Sequence, residues 1–115
     1  MKEFIFDENQ ACINPNRREG GNKDFWFEIQ TACHHGKWFA GHQFWSRTWK
    51  MDLHVYLNTT EYDTEQEAAY KEIGHLLKFL EYENNKTIRP HEVPAVVFRE
   101  LKNMKQKEIS PQLFK

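Results

Sequence analysis

The sequence predicts an α+β domain: a three- to four-stranded antiparallel sheet, with one long helix packed on a face and a shorter C-terminal helix. Three observations lead there. Two aromatic-rich runs, "FWFEIQTAC" and "KWFAGHQFW", flank a short "HHG". The stretch "DTEQEAAYKEIGHLLKFLEYENN" repeats apolar residues at helical spacing. Finally, 115 residues that are 39% hydrophobic and 15% aromatic suit one folded domain, residues 1–115, with a modest core.

Taken in chain order, "KEFIF" at residues 2–6 is the first strand candidate. "DENQACINPNRREGGNKD" follows with Asn-Pro, Gly-Gly and scattered charge, which is turn chemistry. Eighteen residues is long for a structureless connection. Residues 8–24 are therefore expected to be a mobile loop, to serve a function, or to hold a short strand around residues 11–13.

The hairpin is the clearest local signal. With His35-Gly36 as a two-residue turn, glycine supplies the positive φ that such turns need. Cys33 then faces Trp38, Thr31 faces Ala40, Ile29 faces His42 and Phe27 faces Phe44, giving a mostly apolar side for the core and a buried Cys33. The opposite side carries Ala32 with Phe39, Gln30 with Gly41, Glu28 with Gln43, and Trp26 with Trp45. A slip of one residue would exchange the two sides.

After "SRTWKM", the alternation in "DLHVYLN" predicts a strand with Leu53, Val55 and Leu57 inward and His54 and Tyr56 outward. The long helix opens on a capping box, Thr64 followed by Glu67, in which each side chain satisfies an exposed backbone N–H. Ala69, Ile73, Leu76 and Leu80 form its apolar stripe, and Asn84-Asn85 is its stop. The glutamates at 65, 67, 72, 81 and 83 read as a solvated face. In the last segment Pro94 suits a first helical turn, Val97, Leu101 and Met104 share a face, and Ser110-Pro111 should end the helix. Residues 106–115 are expected to be a loose tail.

The net charge of −1 is unevenly spread. Residues 29–51 hold Lys37, Arg47 and Lys50 and no acidic residue, while residues 52–85 are strongly acidic. A cationic stripe of this kind can meet an anionic partner, or simply be a solvated face. No apolar run is long enough to span a membrane, and "MKEFIFDENQ" lacks a signal-peptide pattern, so a cytoplasmic location is expected. Cys12 and Cys33 are then expected to be thiols.

"ACHHGKWFAGHQFW" invites a metal or catalytic reading. A zinc ion needs several donors converging to about 2.0–2.3 Å. On a pleated ribbon His34, His35, His42 and Cys33 diverge instead, and spacing such as CxxC is absent. A Cys–His pair adjacent in sequence is likewise no dyad, and P-loop, dinucleotide and HExxH fingerprints are missing. No catalytic residue, metal or cofactor is expected. What remains is the outward sheet side, where Trp26, Phe39, Trp45, His54 and Tyr56 would gather with Lys37, Arg47 and Lys50 nearby. It is either covered by the C-terminal helix or open to a partner.

The order strand, hairpin, strand, long helix resembles the compact domain of HicB-type antitoxins, with "YDTEQEAAYKEIGHLLKFLE" at residues 62–81 matching that family's T-x-x-E-A helix entry. The resemblance covers roughly residues 25–82, and the family's DNA-binding segment has no counterpart after it. The chain also looks like small proteins of bacterial mobile elements or phages, which often act as adaptors or inhibitors. The expected role is a small non-catalytic protein-binding module, regulatory or inhibitory, with a possible homo-oligomeric state. The alternative is a nucleic-acid-binding accessory protein using the cationic-aromatic stretch 29–51.

Overall fold

A computed structural model of the chain describes residues 2–87 and 92–113. Four strands, β1 (Asn16–Gly21), β2 (Phe25–His34), β3 (Lys37–Ser46) and β4 (Lys50–Leu53), form an antiparallel meander in the order β1-β2-β3-β4. Two helices follow, α1 (Glu65–Asn85) and α2 (Ala95–Leu113). The expected α+β architecture is what the chain adopts.

The hairpin has the anticipated register, with Cys33 opposite Trp38, Ile29 opposite His42 and Phe27 opposite Phe44. His35 and Gly36 have φ of 52° and 78°, two positive values that match the right-handed twist of the strands they join. Phe27, Ile29 and Phe44 are buried against Ala69, Ile73, Leu76 and Leu80 of α1 and Val97 and Leu101 of α2. Each such large side chain contributes about 1.5–3 kcal/mol when fully buried. Both helices thus cover one face of the sheet. Cys33, expected inside, is only half-buried beside the turn of the hairpin.

α1 begins as its sequence indicates. Thr64 has extended backbone angles and its hydroxyl accepts from Glu67 N–H at 3.1 Å. α2 starts beside Pro94, whose carbonyl accepts from Val97 N–H at 3.0 Å. It does not stop at Ser110-Pro111: the backbone is helical to Leu113, so residues 106–113 are helix instead of tail, and 114–115 lie outside the described residues. A proline in the last turn removes a single donor near the helix end. Glu108 also ties this end of the helix to β1 through an ion pair with Arg18.

Three further elements differ from expectation. "KEFIF" makes one isolated bridge, Phe6 to Cys12, because the Asn14 side chain replaces a ladder, accepting from Ile5 N–H and donating to the Glu3 carbonyl. Residues 8–24 contain β1, a strand without apolar alternation that is held by pairing with β2 and by Arg18 bridging to Glu65 and Glu108. The strand expected over "DLHVYLN" ends at Leu53, which is exposed. The chain then crosses to the other face of the sheet over Gly41, where an added Cβ would lie 2.3 Å from the Leu53 carbonyl oxygen. Val55 consequently joins Cys12, Ala32 and Phe39 in a second small core, with Phe4, Phe6 and Leu57 packed around it.

Candidate interaction site

The sheet face away from the helices is covered from the β2–β3 turn as far as its middle, where Gln30 and Glu28 are buried. The second core roofs the end near the β2–β3 turn. Beyond it, directly opposed residues share this face and form rows across the strands. One row runs Glu19, Glu28, Gln43, Asp52 over β1 to β4. The next runs Trp26, Trp45, Lys50. Trp45 is 40% exposed and Trp26 half-buried.

The structure divides the eight anticipated residues. Trp26, Trp45 and Lys50 are neighbours in one row, with Arg47 in the turn that follows β3. Phe39 is buried in the second core, a correction to its placement on an open surface. Its cause is the segment crossing at Gly41, which brings Val55 over it. His54 and Tyr56 lie on that crossing segment, their rings edge-to-face at 6.1 Å, with Tyr56 bridged to Ala11. Lys37 is eight residues from Trp45 along β3, which is about 27 Å in an extended strand. The eight therefore do not make one patch.

Two of the three cations in the acid-free stretch are matched by carboxylates from elsewhere. Lys37 Nζ is 2.6 Å from Asp63 and Arg47 Nε is 2.7 Å from Asp24. The stripe visible in the sequence is thereby largely neutralised in space.

Glu28, in the middle of the acidic row, is fully buried. Its Oε1 accepts from Gln30 Nε2 at 2.6 Å and lies 3.6 Å from an Arg17 guanidinium nitrogen. Its Oε2 has no donor among the described residues. Burial pushes the Glu28 carboxyl above its ordinary range and the adjacent Glu19 adds to that, against the Gln30 bond and the Arg17 charge. Beside it, a cavity of about 170 Å³ opens between the sheet and the N-terminal segment, lined by Asp7, Cys12, Arg17, Gln30, Gln43 and His54. Glu28 was legible on this face from the hairpin register. Its partner strand β1 was not, so the carboxyl pairing with Glu19 had no sequence signal.

A second polar cluster lies on the helix side. His42 Nδ1 is 2.5 Å from Glu72 Oε2, and His75 Nδ1 is 3.4 Å from Glu72 Oε1. His42 and Glu72 are both buried, which corrects the reading of Glu72 as solvated; Glu83 is buried too. Burial would raise the Glu72 carboxyl, but the bond and charge of His42, with a smaller contribution from His75, hold it below its ordinary range. Burial and the charges of Glu72 and Glu67 push the Tyr62 phenol upward. The Glu72–His75 spacing, one helical turn on α1, was the available sequence signal. Among the described residues no group of three or more His, Cys, Asp or Glu side chains is placed to hold a metal ion. Among the described residues no helix is long and apolar enough to cross a membrane.

No protein-family model, curated protein or solved structure matches this chain.

Proposed function

We propose that this chain is a small non-catalytic protein-binding module, regulatory or inhibitory in role, that meets its partner through the Trp26–Trp45 end of the uncovered sheet face. The supporting observation is the cross-strand Trp26–Trp45 pair, with Trp45 40% exposed on a face that neither helix covers. Large rings of this kind serve as anchors at the centre of protein interfaces. The helix entry at residues 62–81, similar to that of HicB-type antitoxins, and the likeness to small phage or mobile-element proteins are in keeping with such a role.

The nucleic-acid reading has less support. Lys37 and Arg47 are engaged by Asp63 and Asp24, and the row beside the tryptophans is acidic. The deciding experiment is capture of partners from native lysate, with and without nuclease. Capture should survive nuclease and moderate salt and be lost with Trp45→Ala in a protein that stays folded. Capture that nuclease removes, or that Trp45→Ala leaves intact, would reject this reading.

A further inference from the structure

The chain leaves the sheet after Leu53 and returns to it at Tyr62, whose backbone bridges to Trp38 on β3. Between those points Val55 packs into the second core, on the face away from the helices. On the helix side, a cavity of about 180 Å³ lies between β3, α1 and residues 59–62. Ala40 and Leu53 give it apolar walls, and His42, Thr60, Tyr62 and Glu72 bring polar groups to it. His42 is 6% exposed, yet only one of its ring nitrogens is engaged. Its Nδ1 lies 2.5 Å from Glu72 Oε2, while its Nε2 has no hydrogen bond among the described residues. The hydroxyls of Thr60 and Tyr62 likewise have none among those residues.

An ionised carboxylate only accepts, so Glu72 makes His42 Nδ1 the donor and leaves Nε2 of the neutral imidazole as an acceptor. Burial and the charges of Glu72 and Glu67 keep the Tyr62 hydroxyl protonated, and hence able to donate. Mostly apolar walls with a few convergent polar groups are the usual make-up of a small-molecule site. An apolar cavity of about 150 Å³ accepts benzene, so this one has room for a single six-membered ring with a small substituent. We propose that it binds a monocyclic phenol, with the ring against Ala40 and Leu53 and the hydroxyl among His42 Nε2, Thr60 and Tyr62. A phenolic hydroxyl both donates and accepts, as an imidazole acceptor beside two hydroxyls requires. The methyl ether of the same ring lacks the donor and would leave Nε2 unsatisfied once the site closes on it. The corresponding carboxylate would meet the like charge of Glu72. The site lies on the helix side of the sheet, so it stands apart from the Trp26–Trp45 reading.

The test is titration of the full chain with phenol, anisole and benzoate at neutral pH. Saturation-transfer NMR reads the affinities, and nitrogen-15 spectra of the histidine rings read the contact. Phenol should bind about fivefold or more tightly than either analogue, the worth of one neutral hydrogen bond. It should move the His42 Nε2 signal and leave those of His34, beside the hairpin turn, in place. Tyr62→Phe and Thr60→Val remove a hydroxyl with little change of shape, and each should weaken phenol about threefold or more while leaving anisole unchanged. The His42 signal is read in the unaltered protein, so it decides the matter even where a variant folds poorly. Equal affinity for the three ligands, or a His42 signal that phenol does not move, would overturn the inference. Folded variants that bind phenol as before, or that lose phenol and anisole to the same degree, would overturn it too. Partner capture that depends on Trp45 is untouched by either result.

Discussion

Replacing Glu72 by glutamine is the most informative perturbation of the core. The His42–Glu72 pair is buried, each side chain being 7% exposed, and its atoms are 2.5 Å apart. Removing one member of such a pair leaves the other desolvated and costs about 3–5 kcal/mol, against a total of roughly 5–15 kcal/mol for a domain. Glutamine retains the shape and one acceptor, so Glu72→Gln should sit near the lower figure. His42→Leu, which strands a carboxylate with only His75 at 3.4 Å, should sit near the upper one. Converting both to leucine leaves neither polar group stranded and should recover most of the loss. The pH dependence has a definite sign. Glu72 is held below its ordinary value of 4.5 in the folded protein, so its stabilisation is present above that value and disappears as pH falls through the lower, folded one. Urea titrations followed by tryptophan fluorescence at pH 7 and pH 3.5 report both effects. The acid loss should shrink in Glu72→Gln without vanishing, because Glu65 is also lowered, by its Asn16, Thr31 and Arg18 partners against its burial. Single variants that each cost under about 1 kcal/mol, well short of the buried-pair figure, together with an unchanged acid response, would refute the argument.

Glu28 should behave in the opposite way. Its carboxyl is raised in the folded state, so ionising it on going to higher pH costs stability, and Glu28→Gln should match or exceed the unaltered protein in urea at pH 8. Thr64→Ala removes the hydroxyl that caps α1 and should lower stability by about 0.5–2 kcal/mol. An unmoved urea midpoint would place the helix start elsewhere.

What could be read from the sequence was local. The hairpin register follows from one turn and from aromatic alternation on both arms, and α1 follows from its cap and a 3.6-residue stripe. β1 escaped notice because "NRREGG" has no apolar alternation. Its side chains are satisfied by residues far along the chain, Arg18 by Glu65 and Glu108. The same holds for charge. Lys37 and Arg47 look like a free cationic stripe until Asp63 and Asp24 are brought beside them. His42 and Glu72, 30 residues apart, each read as an ordinary polar position. The tryptophan pair was visible because strand pairing put it there. The covering of Phe39 was not, because it depends on where the chain leaves the sheet.

That departure at Gly41 also limits how wide the sheet can grow. An open edge is a template on which a strand from another molecule can add, the usual first step in edge-to-edge aggregation. Here the outer edge at β4 is four residues long and carries Lys50 and Asp52 before the chain turns away to the back of the sheet. The opposite edge, β1, is pinned to α2 through Arg18 and Glu108 and is broken by the glycine pair at its end. A protein with two exposed tryptophan-bearing strands thus keeps them in the interior of its sheet, where they offer side chains but no hydrogen-bonding backbone. Recognition is steered onto the face of the sheet and away from its rim, and concentrated solutions gain protection from strand exchange.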